Sequence, residues 1–371
     1  MKLTENKYVS KKPYRCSFQD KLEIEKQVED LLNTGLIEKS SSPYAAPVTM
    51  VLKKEEGKRS RLCIDFKELN KIVVPESQPF PRIDDLTIRA RNCKFFSKLD
   101  VNSAFWSIPV RAKDRYKLAF VTHHGHWQWR CLPFGLRSAP AIFQRVLAGV
   151  IRKNKLDVFT VNYIDDILVF SKTYEEHVYH VEQVLQALHK QGFKLNKNKC
   201  KFAQEKITYL GHEIGSNMLS NMIKPINDNL VAIKKFPTPK TKTQVRQFLE
   251  KINFYLEFIP NHVTLLDPLR NLLRKKVPFN WTEECRNSFN STKEYLCTAP
   301  ALAIFDPEAP IFIFTDASIE GVGAILKQPQ EDNSLKPVFF FSRKLTDAQK
   351  KKKAIFIECL AIKEAILYWQ F

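Results

Sequence analysis

The chain has 371 residues, of which 44% are hydrophobic, and carries 59 Lys and Arg against 40 Asp and Glu, a formal net charge of +19. A single core stops growing at roughly 250 to 300 residues, so two or three domains are expected. The basic residues are spread along the chain, and 10 glycines with 12% aromatic residues argue against a disordered basic arm, so the charge favours a polyanionic partner such as nucleic acid over a membrane surface. The eight cysteines form no C-x-x-C pair and no zinc-ribbon spacing, and read as buried thiols in a reducing compartment. The first twenty residues lack the apolar core of a signal peptide, and no run approaches the roughly 18 apolar residues of a membrane span. The expectation is a soluble intracellular protein with no membrane partner, cytoplasmic with room for a nuclear phase.

In chain order, residues 17–35 predict a helix, with Leu22, Val28, Leu31 and Leu32 near helical spacing and Gly35 as the left-handed stop. VTMVL (48–52) and LCIDF (62–66) predict a hairpin whose tip, KKEEGKRSR, holds five basic residues around Gly57. In THHGHWQWR, His123, His124 and His126 straddle Gly125, which predicts a turn rather than a metal site. Trp127 and Trp129 alternate with polar residues, which predicts packing on one strand face, with aromatic stacking on bases as the alternative. Residues 158–170, VFTVNYIDDILVF, read as two β-rich stretches meeting at adjacent aspartates. A helix follows, with Thr173 and Glu176 as a capping box, an apolar stripe of Val178, Val181, Leu185 and Leu188, and Gly192 at its end. Near 225 a Pro-marked connector, KKFPTPKTKTQ, leads into a helix-rich basic stretch that ends near CTAPAL (297–302). IFIFTDASIEGVGAILKQ and VFFFS then return to strands, and a helix runs from about Asp347 to the end without a polar cap, as in a domain cut short.

Two neighbouring carboxylates at the apex of an apolar hairpin repel each other, and primed turns prefer Asn or Gly. Taken alone, an Asp165-Asp166 pair is more often a solvated turn. A third carboxylate, Asp100, closes the apolar strand of KFFSKLDVNSAFWSIPV. Three carboxylates on one sheet suit two Mg²⁺ ions about 3.5 to 4 Å apart, with Mn²⁺ as a substitute, the arrangement of metal-assisted phosphoryl transfer.

The segments SSSPYAAPVTMVLKK, RLCIDFKELN, FSKLDVNSAFWSIPV, CLPFGLRSAPAIFQ, YIDDILVFSKT, KLNKNKCKFAQEKITYLGH and FTDAS, in this order, give the chain a resemblance to the Pol polyprotein of gypsy-type LTR retrotransposons. That resemblance implies an α+β fold: a right-hand polymerase of fingers and palm (1–224), a thumb or connection-like helical segment (225–303) and a partial ribonuclease H-like domain (304–371). It implies an RNA-directed DNA polymerase that extends a primer on an RNA or DNA template, handles RNA/DNA hybrid and takes deoxynucleoside triphosphates. Asp100 and Asp165 match the family's direct metal ligands, and Asp166 the second aspartate near the primer end. Lys54 and Arg61 match the fingers residues on the triphosphate, Phe105 the aromatic that excludes a 2′-hydroxyl, and Phe134 to Leu136 the segment beside nucleotide and template. Tyr209 to His212 resembles the loop that grips the primer. Asp316 and Glu358 match the first two carboxylates of ribonuclease H; the family site uses four, so no independent ribonuclease activity is expected.

Glu250 and Leu256 stand where the family usually has Gly and Arg, and Phe356-Ile357 replaces a polar pair, which suggests drift in a gene copy. The alternative to an active polymerase is a non-catalytic nucleic-acid-binding remnant. An RNA-dependent RNA polymerase is disfavoured by Phe105 and the Y-I-D-D tetrad, and a structural metal-binding protein leaves the basic hairpin tip unexplained. The sequence leaves the oligomeric state and the primer open.

Overall fold

The computed structural model describes residues 1–371 apart from 53–59, 82–87, 218–219, 299–300, 331–332 and 370–371. The chain forms two compact units: Met1–Arg82, Ser97–Val169 and Val178–Phe202 make the first, and Ile83–Phe96, Phe170–His177 and Ala203–Phe371 the second.

In the first unit, helix Phe18–Asn33 starts where the Ser17 hydroxyl accepts the Asp20 N–H at 3.1 Å, and Gly35 follows its end at φ +69°. Its buried face is centred on Ile24 and Val28 rather than on the expected Leu22, which is 52% exposed. Ile24 and Val28 are four apart and share a face, whereas Leu22 lies off it. Strands Ala46–Leu52 and Ser60–Ile64 form the expected hairpin, with Val51 opposite Arg61. Its tip, Lys54 included, lies outside the described residues. Asp65 and Phe66 leave the strand: the Asp65 carboxylate accepts the Lys67 N–H at 3.0 Å and the Tyr14 hydroxyl at 2.6 Å, which turns the chain into helix Lys67–Ile72. The hairpin belongs to a five-stranded sheet in the order Ile37–Lys39, His126–Trp129, Ala119–Val121, Ala46–Leu52, Ser60–Ile64.

A four-stranded sheet lying chiefly in this unit runs in the order Thr160–Tyr163, Asp166–Ser171, Phe95–Asp100, Lys201–Gln204. Helix Ala139–Lys153, with Pro140 in its first turn, buries Phe143, Leu147 and Ile151 in one core with Leu99, Ile167 and Val169. Helix Tyr174–Lys190 carries the expected capping box: Thr173 Oγ1 accepts the Glu176 N–H at 3.2 Å, and Glu176 Oε2 accepts the Thr173 N–H at 3.3 Å. Its buried residues are His177, Val184, Ala187 and Leu188; Val178, expected in the stripe, is 52% exposed.

The last and longest segment of the second unit runs from Ala203, ahead of the connector near 225. The reason is pairing: strands Lys206–Tyr209, His212–Asn217 and Ser220–Pro225 form one sheet with Leu302–Ala303. Between them lie helices Asn227–Lys234, Lys242–Asn253, Asp267–Leu272 and Glu283–Thr298 around Phe248, Phe258, Leu269 and Phe289. Phe312–Ala317, Gly321–Pro329 and Leu335–Lys344 then form an antiparallel meander. The closing helix divides into Asp347–Lys350 and Ala354–Tyr368, because a complete Thr346–Gln349 capping box starts the first and the chain turns out of it at Lys351. All eight thiols are free, but uniform burial does not hold: Cys297 and Cys359 are exposed, while burial pushes the Cys93 thiol up to about 11 and the Cys131 thiol to about 12. Among the described residues no helix is long and apolar enough to cross a membrane.

Two glycines show opposite physics. A Cβ at Gly321 would lie 2.8 Å from the Arg343 carbonyl oxygen and 3.0 Å from Thr264 Oγ1, so backbone and helical segment approach there only because no side chain intervenes. A Cβ at Gly149, within helix Ala139–Lys153, meets nothing within 4 Å. Gly321→Ala is expected to destabilise by about 1–3 kcal/mol, and Gly149→Ala to stabilise by about 0.5–1 kcal/mol. Thermal unfolding of the two variants checks the opposite signs.

Candidate active site

Asp100 ends its strand, and its main chain is held by a distant segment. Its carbonyl accepts the Asn196 N–H at 2.9 Å, its N–H points at Cys200 Sγ at 3.5 Å, and Lys199 Nζ lies 3.7 Å from its carboxylate. The next residue, Val101, donates its N–H to the Asp165 carbonyl at 3.3 Å, which sets Asp165 beside Asp100. The turn differs from the expected pair of aspartates at the apex. Tyr163 pairs with Asp166, so the two loop residues are Ile164 and Asp165, and Asp166 begins the returning strand.

Ile164 takes φ +53°, a conformation that a β-branched side chain resists at a cost of about 1–3 kcal/mol. Gln144 compensates. Its side chain is buried, its Oε1 accepts the Ile164 N–H at 2.6 Å and the Asn162 side-chain amide at 3.3 Å, and its Nε2 donates to the Asn162 carbonyl at 3.2 Å. Helix Ala139–Lys153 thereby fixes the turn that presents Asp165.

Asp165 is exposed at the turn, yet loss of water around its carboxyl, followed by the charges of Asp166 and Asp100, raises its pKa above the usual carboxylate value; a hydrogen bond to backbone and Lys199 oppose this. Lys98, two residues before Asp100, pairs with Asp166 Oδ1 at 2.8 Å across neighbouring strands. Among the described residues no three His, Cys, Asp or Glu side chains meet in a ligand cluster. The donor set still suits a hard divalent cation, since oxygen ligands of like charge crowd one place and burden Asp165.

Asp100 and Asp165 open on a cavity of about 690 Å³ that Arg61, Phe105 and Phe134 also line, so the structure brings these sequence-selected residues together; Lys199 lines it too, and Asp166 does not. The Phe105 ring lies tilted against Phe134 at 5.0 Å and edge-on to Phe143 at 5.8 Å, which fixes it. The loop carrying Phe134 turns at Gly135, φ +85°, and Asn70 clamps it, donating to the Gly135 carbonyl at 2.8 Å and accepting the Arg137 N–H at 2.8 Å. The histidine segment is a turn: the Gly125 carbonyl accepts the Thr122 N–H at 2.9 Å, and His126 contacts the Tyr44 carbonyl. Trp129 is buried and stacked on Trp106.

In the second unit, Gly211 turns at φ +80° between Tyr209 and His212, both buried. The His212 ring lies 4.9 Å from Phe254 and 5.7 Å from Phe258, and the Tyr255 hydroxyl donates to the Gly211 carbonyl at 3.3 Å. The departures sit differently: Glu250 is exposed, whereas Leu256 packs on the helical core. Asp316 lies on strand Phe312–Ala317 opposite Gly323, and Glu358 on helix Ala354–Tyr368; both are exposed and neither joins a ligand group among the described residues. Gln144, Asn70, Lys98 and the 196–200 segment escaped the reading of the sequence, although Gln144 and Asn70 close two of the motifs.

Gln144→Leu leaves the Ile164 N–H and the Asn162 amide without their partner, and is expected to lower stability by about 1–3 kcal/mol in a denaturant titration. Asp165 behaves in the opposite way. Because its pKa is higher folded than unfolded, its favourable contribution is present below the ordinary carboxylate pKa and is lost as pH rises through the folded value. Metal-free Asp165→Asn is therefore expected to melt above the wild type at pH 7, with the gap closing as pH falls below the raised value. An unchanged gap across a pH series of melting curves contradicts this.

Comparison with known proteins follows the same lines. Residues 51–214 match the family described as reverse transcriptase (RNA-dependent DNA polymerase), and residues 281–371 the RNase H-like domain found in reverse transcriptase. The Tf2-3 and Tf2-7 transposon polyproteins of Schizosaccharomyces pombe are each 35% identical over 344 residues, 93% of this chain, which spans 25% of their length. A foamy viral protease-reverse transcriptase in complex with dsDNA superposes with a TM-score of 0.85 at 22% identity, over 98% of this chain and 74% of the other; its complex with RNA/DNA hybrid gives 0.80 at 22%, over 98% and 48%. The mixed helix-and-sheet fold is thus that of a reverse transcriptase. With its reverse transcriptase and RNase H-like domains, the chain belongs to the reverse transcriptases of gypsy-type LTR retrotransposon polyproteins.

Proposed function

We propose that the chain is an RNA-directed DNA polymerase that extends a primer with deoxynucleoside triphosphates. The observation that carries this reading is the shared cavity: two backbone-anchored carboxylates, Asp100 and Asp165, face the same space as a guanidinium, Arg61, and a fixed aromatic ring, Phe105. Arg61 suits bidentate contact with phosphate, and by the family resemblance Lys54, outside the described residues, would share that task. Phe105, braced by Phe134 and Phe143, forms a floor on which a sugar without a 2′-hydroxyl fits. Asp100 and Asp165 would hold Mg²⁺, or Mn²⁺, with Asp166 beside them. When bound, the cations supply charge neutralisation for the triphosphate and for the attacking 3′-hydroxyl.

Template and primer are the partners that the excess of 59 basic over 40 acidic residues favours. The foamy viral complexes with dsDNA and with RNA/DNA hybrid support the same partners by fold likeness. The loop at Gly211, braced by Phe254 and Tyr255, is the element we assign to the primer strand. The eight free thiols fit action in the cytoplasm.

Primed synthesis on a homopolymer RNA template tests the reading. The expected result is Mg²⁺-dependent deoxynucleotide incorporation that Asp165→Asn reduces by roughly 10²-fold to 10³-fold or more. Phe105→Ala is expected to raise ribonucleotide use relative to deoxynucleotide use by about tenfold. Absence of product from the wild type, or undiminished product from Asp165→Asn, would overturn the reading. Salt-dependent duplex binding without incorporation would select a non-catalytic nucleic-acid-binding remnant instead.

A further inference from the structure

Lys98 has no part in the reaction just described, yet its ammonium lies 2.8 Å from Asp166 Oδ1 in the acidic cluster, with the two side chains only 21% and 26% exposed. It stands two residues before Asp100, so both side chains point to the same face of the strand. Lys199 is a looser partner for Asp100, at 3.7 Å and with its side chain 66% exposed. We infer that Lys98 is a positioning residue that withholds Asp166 from the metal site, leaving Asp100 and Asp165 as the carboxylates that take the cations.

Three observations meet in this assignment. The half-buried Lys98–Asp166 pair is screened less than a surface pair, and breaking it would strand a charge. Asp166 is absent from the lining of the cavity that Asp100 and Asp165 share. No three carboxylates meet among the described residues, although three lie within electrostatic reach of one another. An ammonium that holds one of the three keeps the net charge at the cavity near that of two carboxylates. That limits how tightly a divalent cation is held before nucleotide arrives with phosphate ligands of its own.

The inference rests on the polymerase reading of the acidic cluster, and its test is separable from that reading. Mn²⁺ binding to the full chain, followed by electron paramagnetic resonance without nucleotide or nucleic acid, reports the site directly. Lys98→Met is expected to bind Mn²⁺ about tenfold more tightly than the wild type, because it frees an acceptor and removes a repelling charge. Lys98→Arg, which retains the pair, is expected to bind like the wild type.

Asp166→Asn is expected to weaken binding less than about threefold in the wild-type background but about tenfold beside Lys98→Met, a coupling that a purely structural ion pair does not produce. Equal losses in both backgrounds, or no gain in Lys98→Met while Lys98→Arg stays folded and binds normally, would overturn the role of Lys98. Failure of the underlying reading looks different: the wild type then shows no Mn²⁺ binding that Asp165→Asn abolishes, and the inference falls with it.

Discussion

The turn at Ile164 and Asp165 requires a left-handed backbone at a β-branched residue and sets like charges side by side, and both demands oppose folding. The surrounding elements are arranged to overcome them. Gln144 reaches from a helix with three hydrogen bonds, Val101 ties the Asp165 carbonyl to the neighbouring strand, and Asn196 and Cys200 fix the other end of the pair at Asp100. Each contact acts on backbone or on a buried amide rather than on a carboxylate, so the acidic oxygens stay available while their positions are fixed.

Charge is handled locally in the same way. Lys98 and Lys199 each face one aspartate, and Asp165, between them, has neither as a close partner and carries the raised pKa. A chain with an excess of positive charge thus keeps a small negative site by placing two of its lysines at the edges of that site. The aromatic floor works by a separate principle: Phe105 is fixed by ring contacts with Phe134 and Phe143, and its position depends on packing rather than on charge.

Much of this was legible in the sequence where the signal is local. Hairpins at 46–64 and 160–171, the capped helix after Thr173 and the meander after 312 follow from β-branched runs, turn residues and a capping box. The expected stripes erred at Leu22 and Val178 because periodicity gives a spacing but not which neighbour covers the face. Near 225 the connector's composition changes, but composition does not show pairing: strand Ser220–Pro225 pairs with Leu302–Ala303, eighty residues later. Asp100, Asp165, Arg61 and Phe105 were selected through motifs, and the structure places them on one cavity. Gln144 and Lys98 were not, because a glutamine in an amphipathic helix and a lysine in a strand look ordinary until the fold gives them partners 20 and 68 residues away.

The clamp that residues 194–200 place on Asn102 and Asp100 also sets the order in which the protein can mature. The acidic cluster draws on residues 98–102, 144, 162–166 and 194–200, so its loops close late and its contacts are non-local. During synthesis the aspartate at 100 leaves the ribosome nearly a hundred residues before the segment that anchors it. Until that segment follows, the strand that ends at Asp100 lacks the partners that fix its end, so the acidic cluster assembles only after the chain has emerged past residue 200.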